Sequence, residues 1–126
     1  MSGPTEAVRS FLVSTHWKPC ATYFQGEPRT RSSRSVHRVS GFNLAVSSAS
    51  DLSLPDQVRD SVRFMDSEGK ELDRLHSLGL HGVLDFGVAS NPEAVFSNYR
   101  FPAELLACLS AYSVDLEVSH HGVAER

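Results

Sequence analysis

Val83-Leu84-Asp85-Phe86-Gly87-Val88 alternates apolar and other residues, with Leu84, Phe86 and Val88 on one side of an extended chain and Asp85 on the other. A period of two is the mark of a strand with one face on a core. A helical pattern precedes this stretch, and a helix and a strand follow it. It therefore reads as the central strand of a small α+β sheet. Asp85-Phe86-Gly87 also spells the magnesium-binding triplet of protein kinases. The chain has neither the glycine-rich loop nor the catalytic loop that would accompany it, so the alternating strand is the better reading.

Upstream, Ser53 is placed to cap a helix, with Pro55 in its first turn and Asp56 three residues beyond the cap. Leu54, Val58, Val62 and Met65 recur at helical spacing, and the register resumes at Leu72, Leu75 and Leu78 across Gly69. One long helix ending near Leu78-Gly79, with a kink at Gly69, is the favoured reading, and a break in two at Asp66-Ser67-Glu68-Gly69 is the alternative. A glycine there costs about 1 kcal/mol relative to alanine, which packing offsets. Before it, Val39 to Ser47 alternates as a strand, with Phe42, Leu44 and Val46 on one side and Asn43, Ala45 and Ser47 on the other. Cys20 to Gln25 is β-prone and stops at Gly26. Thr5 is expected to cap a short helix carrying Ala7, Val8, Phe11 and Leu12, which Pro19 cannot continue.

Downstream, Ala89 to Tyr99 reads as a loop containing Asn91-Pro92. Pro102 opens a helix whose inner face is Leu105, Leu106, Leu109 and Tyr112. Ser113 to Ser119 closes the fold as a strand, with Val114, Leu116 and Val118 inward and Asp115, Glu117 and Ser119 outward. Phe86 and Leu116 are expected to be buried together, facing Val62 and Leu106. Residues 1–4 and the tail from His120 are expected to fray. The expected fold class is α+β: a single domain over residues 1–126, with a mixed or antiparallel sheet of about four to five strands and helices packed on one face.

The 126 residues suit one domain, and 40% hydrophobic with 21% charged side chains argues for a folded core rather than disorder. Cys20 and Cys108 have no metal-ligand spacing and are expected to be buried thiols. No apolar run approaches the roughly 20 residues of a membrane span. Met1-Ser2-Gly3-Pro4-Thr5-Glu6 lacks the basic region of a secretion signal, so a cytoplasmic location is expected. The net charge of −3 conceals an asymmetry. Residues 1–50 carry six basic and two acidic side chains, and residues 51–126 carry six basic and thirteen acidic ones.

Catalysis has little to recommend it. There is no G-x-S-x-G nucleophile turn, phosphate loop or dinucleotide fingerprint. No cofactor and no metal site is expected. His120 and His121 are neighbours on a strand and point to opposite faces, so they do not readily share an ion. Glu27 to Arg38 is a solvated loop whose arginines at 29, 31 and 34 match phosphate contacts. Nucleic acid is nonetheless not the expected partner, because the loop neither interleaves aromatics nor forms a helix. The strongest positive feature is acidic. Asp85, Asp115 and Glu117 share the open face of the sheet if the last two strands are neighbours, with Asn43 a fourth candidate. Like charges on one face repel, and a basic protein partner would relieve that repulsion and arrive faster for it.

Ser40-Gly41-Phe42-Asn43, Leu54-Pro55-Asp56-Gln57-Val58, Leu84-Asp85-Phe86-Gly87, Phe101-Pro102-Ala103-Glu104-Leu105-Leu106 and Leu116-Glu117-Val118-Ser119 occur here in order. Together, over roughly residues 18–119, they resemble a family of short uncharacterised bacterial α+β proteins, similar to the immunity proteins carried beside toxins. Related chains begin with a strand and close on an aromatic after the serine, where this chain has His120-His121. The resemblance implies a non-catalytic protein that neutralises a toxin by direct binding, with no catalytic residues to carry over. The competing reading is a small enzyme or ligand-binding domain with a pocket between sheet and helices.

Overall fold

A computed structural model describes residues 1–30, 34–89 and 98–121. Arg31, the Asn91-Pro92 loop and the tail beyond His121 lie outside the described residues. The order is β1 (Ser2–Gly3), α1 (Thr5–Ser14), β2 (Ala21–Tyr23), β3 (Ser40–Asn43), α2 (Leu54–Ser67), α3 (Gly69–Ser77), β4 (Gly82–Ala89), α4 (Ala103–Ala111) and β5 (Val114–His121). The α+β class holds. The expected single sheet is instead two, β1-β3-β2 and β4-β5. Contacts divide the chain into two compact units, one of residues 1–45 with 69–82 and one of 46–68 with 83–126. No helix among the described residues is long and apolar enough to cross a membrane.

In the first unit, β3 pairs antiparallel with β1 on one side and β2 on the other. Its core is Val8, Phe11, Trp17, Phe42, Leu72, Leu75 and Leu80. Phe11 stacks on Phe42 with ring centroids 5.5 Å apart and tilts against Trp17 at 5.4 Å. Thr5 does not cap α1: Pro4 takes that position, and the Thr5 hydroxyl bonds the buried Ser40 hydroxyl at 2.7 Å. Ser40 Oγ also accepts the Gln25 N–H at 2.9 Å. Ser2 and Gly3, expected to fray, pair with Gly41 and Ser40. Cys20 is exposed rather than buried.

The expected long helix breaks at Glu68, whose φ and ψ of −113° and 22° leave the helical region, so Gly69 opens α3 instead of lying inside a helix. The apolar register crosses the break because both halves bury a stripe, which is why sequence periodicity cannot locate it. The C-terminus of α3 is closed by a Schellman motif. Gly79 has φ of +80°, its N–H donates to the His76 carbonyl, and the Leu80 N–H donates to the Leu75 carbonyl at 3.2 Å.

In the second unit, α2 packs on α4 and α4 on β5. The core is Val58, Val62, Met65, Phe86, Val88, Leu105 and Leu109. Ser119 meets Asp85, and His121 lies against Gly87. Both pairs share a separation of 34 residues, so the strands run parallel, as a β-α-β crossover requires. The far side of β4 is held by Gln57, whose Nε2 donates to the Gly87 carbonyl at 2.7 Å, and by the Ala89 N–H to the Asp51 carbonyl at 3.0 Å. Phe86 is 1% exposed, as its position in the alternation demands. Leu116 and Leu106 are not buried: they are 36% and 48% exposed. Alternation gives the face a residue shares, but a two-stranded sheet and one helix do not cover the whole of it.

Candidate functional site

The β4-β5 pair puts three of the four expected site residues on one sheet face. Asp85 is exposed on β4, and Asp115 and Glu117 are exposed on β5. The Ser119 hydroxyl lies 2.9 Å from both oxygens of Asp85. This contact fixes which side of β5 faces outward with Asp85. Since every second residue shares a face, Asp115, Glu117, Ser119 and His121 stand on the Asp85 side. Asn43, expected as a fourth member, belongs to a different sheet. It sits at the end of β3 in the other sheet, where its carbonyl accepts the Cys20 N–H at 2.8 Å.

Sequence reading missed two members of this face. Ser119 was read as a bland outward residue, yet it is the hydrogen-bond partner of Asp85. His121 completes β5 instead of fraying and runs along Gly87, where a Cβ would come within 2.9 Å of its Nε2. A glycine at an outward strand position is the signal that marks such a crossing. His120 points the other way, as neighbours on a strand must, and packs edge-on against Tyr99 at 5.3 Å. Among the described residues, no group of three His, Cys, Asp or Glu side chains is placed to hold a metal ion.

The charge asymmetry follows the division of the chain. The first unit carries eight basic and four acidic side chains, a formal +4. The second carries four basic and eleven acidic, a formal −7. The acidic face therefore lies in a unit whose whole field has the same sign, and that field draws cations and basic proteins toward it.

The first unit holds a second, basic surface. Its β2-β3 hairpin does not end at Tyr23. In the strands Ala21 pairs Asn43, Thr22 pairs Phe42 and Tyr23 pairs Gly41. The same register reappears further out, where Pro28 bridges Val36 and the Arg29 N–H donates to the Ser35 carbonyl at 2.9 Å. Within Glu27 to Arg38, expected to be a solvated loop, residues 27–29 and 35–37 thus pair as a continuation of the ribbon. Gly26, at φ of +90°, makes the kink between the two parts.

Aromatics line the ribbon's base. Tyr23 stacks on His37 at 4.9 Å, and the Arg9 guanidinium lies 4.4 Å over the Phe24 ring.

Comparisons with protein-family models, curated proteins and solved structures find no match to this chain.

Proposed function

We propose that this chain is a non-catalytic binding protein whose β4-β5 face docks a basic protein, in the manner of an immunity protein that neutralises a toxin by covering it. The observation that carries this reading is the placement of exposed Asp85, Asp115 and Glu117 on one sheet face within the −7 unit. The negative field of the unit attracts a basic partner and speeds its encounter with this face.

The test is co-purification of the tagged chain from its native host at low salt, with mass spectrometry of what it retains. The reading expects a basic protein that Asp115→Lys with Glu117→Lys no longer retains. Retention of the same protein by the double variant would contradict it.

A further inference from the structure

We propose that the outer edge of β5 pairs antiparallel with β5 of a second copy of this chain, about a two-fold axis at Val118, so that two β4-β5 pairs join into one sheet.

The first observation is the edge itself. Among the described residues, β4 is the only strand hydrogen-bonded to β5. Burial shows that the packed layer runs out there. On the inward face, Phe86 and Val88 of β4 are 1% and 3% exposed, whereas Leu116 of β5 is 36% exposed. β5 also runs from Val114 to His121 without a proline, a lysine or an arginine. Native edge strands use such residues to refuse a further strand.

The second observation is the order of the charges. Along its outward face β5 reads Asp115, Glu117, Ser119, His121, with the acids in one half and none in the other. Like charges directly opposite each other destabilise a strand pair. A parallel copy in register would set each acid beside itself. An antiparallel copy sets the acidic half against the half without acids. That self-complementarity is what a two-fold interface requires.

The register follows from the same rule. A two-fold axis normal to the sheet keeps outward residues opposite outward residues. The two registers of greatest overlap then centre on Glu117 or on Val118. Centring on Glu117 sets that carboxylate against its own copy. Centring on Val118 sets Asp115 opposite His121 of the second copy, and Glu117 opposite Ser119 of the second copy. Ser119 and His121 lean over β4, toward Asp85 and Gly87, which keeps their bulk off the outer flank of β5.

Two factors keep the pairing weak. The contact is small, and the two −7 units repel each other at long range. Salt screens that repulsion and leaves the backbone bonds intact. The dimer therefore tightens with salt, the reverse of what docking of a basic protein does. Pairing at the edge leaves both outward faces uncovered, so it does not depend on the acidic face having a partner.

The experiment is sedimentation velocity of the purified full chain with no other protein present, from about 10 μM to about 1 mM, the range in which a small interface associates. A monomer–dimer equilibrium is expected, tighter by about threefold or more at 300 than at 50 mM salt. His121→Glu sets a carboxylate opposite Asp115 at both ends of the contact and should weaken the dimer by about fivefold or more. Adding Asp115→Lys to His121→Glu should bring the affinity back to that of the parent. Both positions are exposed, so circular dichroism should show the variants folded. Cross-linking reads the register, on a background of Cys20→Ser with Cys108→Ser. A residue on the axis faces its own copy with Cβ atoms about 5 Å apart, so Val118→Cys should give a disulfide-linked dimer under mild oxidation. Glu117→Cys should give little. Monomer alone at every concentration would overturn the proposal. So would a dimer indifferent to His121→Glu, or one that cross-links through Glu117→Cys and not through Val118→Cys.

Discussion

Ser119 Oγ lies 2.9 Å from both carboxylate oxygens of Asp85, and this side-chain pair ties β5 to β4 on the outward face. The contact is exposed, so its worth is limited by competition from water. Ser119→Ala is expected to lower stability by no more than about 1 kcal/mol. Urea denaturation measures it. A loss of several kcal/mol would show that the pair holds the sheet together rather than merely orienting the carboxylate.

Phe86 and Leu116 lie on neighbouring strands and are expected to respond very differently to truncation. Phe86→Ala empties a site that is 1% exposed and should cost about 3–5 kcal/mol. Leu116→Ala, at 36% exposure, should cost about 1 kcal/mol or less, because most of its transfer energy is never gained. Equal losses in thermal or urea unfolding would mean that Leu116 is covered in solution.

Gly41 is a point of close approach. A Cβ there would collide with the Met1 carbonyl and the Tyr23 ring, and the former is backbone and cannot swing aside. Gly41→Ala should therefore destabilise by about 1–3 kcal/mol. It should also disturb the Tyr23–His37 stack, seen as a change in near-ultraviolet circular dichroism. A neutral outcome would show that β1 is not held against β3.

Glu71 gives a pH dependence. Arg74 Nε donates to it at 2.9 Å and the Thr15 hydroxyl at 2.6 Å, so the Arg74 guanidinium, helped by Thr15 and opposed by burial, holds its carboxyl below the usual carboxylate range. Arg74 also lies 4.4 Å over Phe11, so the pair fastens α3 to α1. A folded pKa below the unfolded one adds stability at neutral pH, which is lost as pH falls through the carboxylate range near about 4. Glu71→Gln should thus be less stable than the parent at pH 7 by about 1–2 kcal/mol. The gap should narrow as pH falls below about 4. A gap independent of pH would contradict the charge-based account.

The sequence made some of these relationships legible and hid others for identifiable reasons. The strand at Phe86 and Val88, the stripe of Val58, Val62 and Met65, and the helix opened by Pro102 all declare themselves through local periodicity and turn chemistry. Periodicity reports faces, however, and not partners. It therefore placed Asp85, Asp115 and Glu117 on one side of their strands correctly, yet wrongly drew Asn43 into the same sheet. The break at Glu68, one of two readings of Asp66-Ser67-Glu68-Gly69, was ranked second because the apolar register continues beyond it. The Thr15–Glu71–Arg74 contact joins residues 56 positions apart and leaves no local trace. The ribbon was hidden because its outer pairing rests on backbone bonds, which arginine and serine side chains do not announce.

The most direct test of the proposed docking face is calorimetry against the basic protein that co-purifies with the chain, with the parent and with Asp115→Lys plus Glu117→Lys, at 50 and 300 mM salt. Both side chains are exposed, so the double variant should fold. The account predicts binding that weakens with salt, because exposed charges are screened beyond about 8–10 Å. It also predicts a loss of about 2–5 kcal/mol in the double variant. Equal affinity of the two proteins at both salts would contradict it and remove the β4-β5 face from the binding surface.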